Sequence, residues 1–186
     1  MEGAEIRRYN GHADVSLSEY GIAQYEALKK RFDGVKISAC YCSDLTRCLV
    51  GAEMLGSHLG ITPIKNGDLR ELSIGIWERM SWEEVIDKYP MEWQARMDDI
   101  VNYRVAQGEN LLDVRNRVMP VINRIIERHQ GEDVLVVAHG WVNRIILLNA
   151  IGAPLANFFN IEQNYCAFNI IDYYADGKTV IKLMNG

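Results

Sequence analysis

The chain has 186 residues, 48% of them hydrophobic and 24% charged, with a formal net charge of -5. That length suits one domain with a sizeable core, and the composition is that of an ordinary globular protein. With a negative balance and no basic run, nucleic acid and anionic membranes are not the expected partners, and a small anionic ligand would need arginines and backbone amides to reverse the field locally. The N-terminal stretch MEGAEIRRYNG carries no hydrophobic signal segment. The most apolar region, 145–161, is broken by Asn149, Gly152, Pro154, Asn157 and Asn160, a pattern that does not predict a membrane span. Cys40, Cys42, Cys48 and Cys166 form no CxxC pair. They read as reduced, mostly buried thiols of a cytoplasmic protein.

In chain order, residues 1–15 read as irregular and polar. Ser18 is a plausible N-cap for a helix that turns Ile22, Tyr25, Leu28 and Phe32 to one face and ends at Gly34. Residues 35–42 read as a strand, with Ser43-Asp44 capping a helix that carries Leu45, Leu49, Ala52, Leu55 and Leu59. A short strand over 61–64 and a loop over 66–75 follow. Residues 75–110, rich in Trp and Tyr and broken by Pro90, read as a helical cap subdomain of two or so helices. The rest of 1–186 forms the single domain that holds it. Residues 113–129 are amphipathic, with Pro120 as a kink or as the true helix start. Strands over 166–174 and 179–183 are joined by Ala175-Asp176-Gly177-Lys178, a hairpin signal. Strands alternating with helices predict an α/β three-layer sandwich with a mainly parallel central sheet.

The stretch 134–152, VLVVAHGWVNRIILLNAIG, organises the candidate site. Val134 to Ala138 lacks polar alternation, as in a strand buried on both faces, and Trp141 to Ile151 returns at helical spacing. His139 therefore stands where a buried strand hands over to a helix, the place where open α/β sheets bind ligands. The plain alternative is a lone polar residue capping a strand. Arg47 falls in the first turn of the second helix, beside free amides. It is either an oxyanion ligand or a solvated helix arginine. Glu71, between Leu69 and Leu72, is a candidate general acid if its apolar neighbours raise its pKa. Glu78 reads as structural, His12 as a loop residue, His58 and His129 as helix-end residues, and the tryptophans as cap core. A strand–turn–helix also defines the nucleophile elbow of α/β-hydrolases, but Ala138-His139-Gly140-Trp141-Val142 contains no serine.

In this order, GHADVSLSEYG, SDLTRCLVGAEML, LRELSIGIWE, GEN ahead of an amphipathic helix, and VLVVAHG together resemble the histidine phosphatase superfamily. These are the phosphoglycerate mutase-like enzymes and their phosphatase relatives, and RRYNGHADVSLSEYG is nearest in flavour to the α-ribazole phosphatase branch. The resemblance covers nearly the whole chain. It implies a phosphoglycerate mutase-like fold and a phosphomonoesterase that acts on a small organic phosphate ester through a phosphohistidine. It implies no cofactor and no metal. By the resemblance His139 is the second histidine of the site, Arg47 a phosphate-binding arginine and Glu71 the proton donor. Asn10 and Gly11 match a segment that touches the substrate. Mutases of the family usually carry longer insertions, which favours a phosphatase.

The family's Arg-His-Gly triplet, whose histidine is the nucleophile and which ends the first central strand, does not occur among these 186 residues. The expectation is that Met1 is an internal methionine and that a native product carries roughly ten more residues, a strand plus a short turn. The 186-residue chain is then expected to be inactive or nearly so, with a slot where an inner strand belongs. Each buried unpaired backbone group there costs about 1–3 kcal/mol, against a total stability of ~5–15 kcal/mol, so the slot calls for a filling segment. The alternative is a relative that binds a phosphate ligand without turning it over.

Overall fold

Three short parallel strands form the centre of the molecule. In the computed structural model, which describes residues 8–186, they are β1 (Ala39–Cys42), β2 (Ile64–Lys65) and β3 (Val134–Val137), in the order β2-β1-β3. The start of the irregular N-terminal stretch, residues 1–7, lies outside the described residues. Ala39 pairs with Val134 and Cys42 with Val137, and Tyr41 pairs with Ile64.

The sheet separates two cores by simple alternation. Cys40, Cys42, Leu135 and Val137 face Phe32, Cys48, Ala52 and Leu55 on one side. Tyr41, with Val134 and Val136, packs on the other side against Val114, Val118, Ile122, Val142 and Ile146. The first face is covered by α1 (Glu19–Lys29) and α2 (Thr46–Leu59), the second by α5 (Leu111–Arg128) and α6 (Gly140–Ala150). This is the expected three-layer α/β sandwich. The four cysteines are unpaired, and all but Cys166 are buried.

Several expected elements are shorter or capped differently. The strand over 35–42 is regular only from Ala39, and the one over 61–64 is displaced to Ile64–Lys65. Ser18 caps α1 as expected, accepting a hydrogen bond from the Gly21 amide. The α2 cap is not Ser43-Asp44. The carboxylate of Asp14, 32 residues upstream, accepts from the Thr46 amide at 2.8 Å and the Thr46 hydroxyl at 2.7 Å. A distant acid thus supplies what local sequence was expected to supply. Pro120 neither starts α5 nor ends it. The helix begins at a capping box of Asn110 and Asp113 and runs through the proline, because Val114, Val118, Val121, Ile122 and Ile125 are all buried along its inner face.

Between the layers, α3 (Trp82–Lys88) and α4 (Pro90–Asp98) pack on each other over one end of the sheet. Ser81 and Glu84 form a capping box for α3, and Pro90 occupies the first turn of α4. Trp77, 1% exposed, centres an aromatic cluster with Tyr9, Tyr89 and Trp93. Trp82, stacked on Tyr9 at 6.1 Å, reaches the surface.

The last two strands stand apart. β4 (Ile170–Tyr173) pairs only with β5 (Thr179–Leu183), antiparallel, through a turn in which Gly177 takes φ +85°. Among the described residues, neither β3 on its outer edge nor β4 on its free edge has a strand partner. Both line one cleft of about 1530 Å³. Strand β3 was expected to be buried on both faces; instead burial alternates along it, Leu135 and Val137 being buried, Val134 and Val136 only partly. The cleft beside the strand accounts for the difference.

Helix α1 meets α2 where the Tyr25 ring lies over Gly51, so closely that a Cβ at Gly51 would clash with the ring at its Cζ end. That contact leaves Ile22, expected inward, 41% exposed. Gly51→Ala is expected to lower the unfolding free energy by about 1–3 kcal/mol in urea denaturation, despite the better helix propensity of alanine. Combining it with Tyr25→Leu should recover most of the loss; additive losses would show that the two side chains do not meet.

Candidate active site

At the carboxyl end of β3 the chain passes through Ala138 to His139, the N-cap residue of α6. The imidazole is 6% exposed and held from two sides. Its Nε2 lies 2.8 Å from the Ser43 hydroxyl, and Cys48 Sγ, 3.5 Å from either ring nitrogen, donates to the Ala138 carbonyl at 3.1 Å. Burial pushes the His139 imidazole well below its usual 6.5, and the charges of Arg47, Arg117 and His12 act in the same direction. It is therefore neutral at pH 7, able to donate from one nitrogen and accept at the other.

Glu71 reaches the same helix end from the loop after β2. Its Oε2 accepts from the Trp141 amide at 3.3 Å and its Oε1 from the Leu72 amide at 2.9 Å. Burial raises the carboxyl above its usual 4.5, and the two amides, Arg47 and Arg117 only partly oppose it. A carboxyl that keeps its proton longer than usual, beside a helix N-terminus, has the properties of a proton donor.

Arg47, 7% exposed, occupies the first turn of α2. Its Nη1 donates to the Ala13 carbonyl at 2.9 Å, and its Nη2 to those of Asn10 and Gly11 at 2.8 and 2.7 Å. The guanidinium thus pulls loop 10–13 against the sheet. Gly11 is required there, because a Cβ would press on the Leu72 carbonyl and on Glu78 Oε1. The Glu78 carboxylate accepts from the amides of His12, Ala13 and Ile74, the structural role expected of it. Asn10, Gly11, Arg47, Glu71 and His139 all line the same cleft. The remaining histidines have other partners: His12 Nε2 sits 3.9 Å from Glu109, His58 pairs with Asp33, and His129, which also lines the cleft, bridges Tyr41 and Glu132.

Sequence reasoning missed the residues that hold these groups in place. Arg117, on α5, uses all five N–H donors. They go to the Asp68, Arg70 and Glu71 carbonyls and to both oxygens of Glu109, at 2.7–2.9 Å. Glu109 also accepts from the Ser73 amide. Although burial pushes the Glu109 carboxyl up, hydrogen bonds from Arg117 and Ser73 bring it below its usual value. Asp44 and Arg70 close the other side as a bidentate pair at 2.7 and 2.6 Å. Ser43 and Glu109 stand inside the quoted segments SDLTRCLVGAEML and GEN, which was the available signal. Among the described residues no group of three or more His, Cys, Asp or Glu side chains is arranged to hold a metal ion, and no helix is long and apolar enough to cross a membrane.

Comparison with known proteins places the fold and the family. Phosphoserine phosphatase 1 of Hydrogenobacter thermophilus is 26% identical over 178 residues, 96% of this chain and 84% of that protein. The α-ribazole phosphatase of Shigella flexneri superposes with a TM-score of 0.88 at 23% identity, covering 97% of this chain and 89% of that one. A mycobacterial glucosyl-3-phosphoglycerate phosphatase, solved as a complex with VO3, gives 0.89 at 21% identity over 99% and 93% of the two chains. At those identities the two superpositions establish a shared fold. The family signature itself matches residues 2–186, and the chain belongs to the histidine phosphatase superfamily, branch 1.

Proposed function

We propose that this protein is a phosphomonoesterase of small organic phosphates that works through a phosphohistidine, with Arg47, His139 and Glu71 as its phosphate-binding and proton-donating part. The observation that carries this reading is the raised carboxyl of Glu71, clamped to the first turn of α6 next to a neutral His139. In this scheme a histidine attacks phosphorus, His139 and Arg47 stabilise the phosphoryl oxygens, and the Glu71 O–H protonates the departing alkoxide. The resulting carboxylate then takes a proton from the water that cleaves the N–P bond. Asn10 and Gly11 border the phosphate. The known relatives include a phosphoserine phosphatase, which supports a phosphate ester as substrate. The free thiols fit a reducing compartment, and we place the protein in the cytoplasm.

His12 lies near Glu109, His58 pairs with Asp33 and His129 with Tyr41 and Glu132, and in this reading none of the three is the attacking histidine. The edges of β3 and β4 that lack a strand partner among the described residues line the cleft that also holds Arg47, Glu71 and His139. A second reading, a phosphate-ligand binder without turnover, draws support from Arg47, three of whose N–H groups are engaged by loop carbonyls.

The 186-residue chain is expected to hydrolyse p-nitrophenyl phosphate little or not at all. Fusing an apolar strand ending in Arg-His-Gly to its N-terminus should produce vanadate-sensitive turnover, which His139→Ala reduces by about 10²-fold or more, as for loss of an oxyanion donor. Strong turnover by the unextended chain would show that the nucleophile has been misplaced, and none after extension would favour the binder.

The two titrating groups also make opposite statements about stability. Glu71 has a raised folded-state pKa, so its contribution is lost as pH rises above about 4.5 and levels off beyond the raised value. Glu71→Gln should therefore raise the melting temperature at pH 7 and leave it unchanged near pH 4. His139 is depressed, so the wild type loses stability as pH falls below 6.5, a limb that His139→Gln should flatten.

A further inference from the structure

The Ser43 hydroxyl is sealed inside the fold. The residue directly follows β1 and is 0% exposed, so its O–H has to find an acceptor within the protein. Its Oγ accepts from the Leu45 amide at 3.3 Å, and its other side-chain hydrogen bond among the described residues is the 2.8 Å contact with His139 Nε2. Were Nε2 the protonated nitrogen, Oγ would receive two donors and the hydroxyl proton would be buried without a partner. Ser43 therefore donates and Nε2 accepts, which leaves the proton of the neutral imidazole on Nδ1.

Cys48 does not alter this assignment. Its thiol hydrogen goes to the Ala138 carbonyl at 3.1 Å, leaving only sulfur lone pairs for the ring. The sulfur is 3.5 Å from Nδ1 and 3.5 Å from Nε2, and a point equidistant from both nitrogens cannot lie along either N–H direction. It packs against the imidazole and leaves the Nδ1–H without an acceptor on its own axis among the described residues. His139 lines the cleft together with Arg47 and Glu71. A nearly buried N–H without an acceptor calls for one, and a phosphoryl oxygen is the acceptor this site would receive.

We propose that Ser43 is a positioning residue: its hydroxyl fixes His139 as the Nδ1–H tautomer, so that Nδ1 is the atom that donates to the phosphoryl oxygen. The donor role rests on the phosphate-site reading above; the tautomer does not. Ser43 touches no substrate in this scheme. It occupies one ring nitrogen so that the other carries the proton, as the outer partner of a ligating histidine does. A histidine side chain free in water favours Nε2–H, so the site selects the less common form.

Long-range ¹H–¹⁵N correlation spectra of the full chain at pH 7 report the tautomer of each histidine, and the His139 signals are assigned by their loss in His139→Gln. The wild type is expected to show a protonated Nδ1 and a bare Nε2, and inorganic phosphate should shift the Nδ1–H signal while Nε2 stays in place. In Ser43→Ala the ring should move toward Nε2–H, and inorganic phosphate affinity by calorimetric titration should fall about tenfold, the scale of one charged hydrogen bond. Ser43→Thr, which keeps the hydroxyl, should retain the wild-type tautomer. A wild type with Nε2–H, or with both nitrogens protonated, overturns the proposal before any Ser43 variant is made. Ser43→Ala with an unchanged tautomer also overturns it, even if phosphate binding weakens, because Ser43 would then only pack. A wild type with the expected tautomer that binds no inorganic phosphate would instead overturn the phosphate-site reading, and the donor role with it.

Discussion

One guanidinium sets the geometry on which the candidate site depends. Arg117 ties the backbone of 68–71 to α5 through three carbonyls and fixes its own plane against Glu109. Because a fork of five donors fits only one arrangement of acceptors, the loop carrying Glu71 has little freedom. Its carboxylate partner also holds the Ser73 amide, so both ends of the Glu71 turn are bound to one ion pair. An ion pair this sheltered contributes little net stability and more conformational definition. Here that definition puts a carboxyl at the start of α6.

The second constraint is the opening in the sheet. Two parallel neighbours hold β1, but β3 ends the three-stranded unit and β4 ends the hairpin, and both edges border the same cleft. Unpaired strand edges are templates for a further strand. The cleft runs along β3 from Val134 to His139 and also takes in Arg47 and Glu71.

The legible parts of the molecule were those with local causes. Alternating apolar residues, caps such as Ser18 and the turn at Gly177 were readable because their physics is contained within a few residues. His139 was legible as a strand-to-helix junction, and Glu71 and Arg47 as chemistry-bearing types in suitable places. What could not be read was any interaction whose partner is distant in sequence. Asp14 caps α2 across 32 positions, Arg117 reaches Asp68 across 49, and Ser43 meets His139 across 96. Ile22 was assigned inward by periodicity, and the Tyr25–Gly51 contact left it exposed.

By itself, then, the sequence determined the layer architecture, the order of elements and the residue types of the site, because hydrophobic period and helix signals act locally. Only the tertiary structure decided protonation and pairing: that His139 is neutral, that Glu71 holds its proton above its usual range, that Arg47 grips loop 10–13, and that the buried Ser43 hydroxyl meets His139 Nε2. Those properties come from desolvation and from neighbours brought together by folding, and neither exists in the chain until its layers have packed.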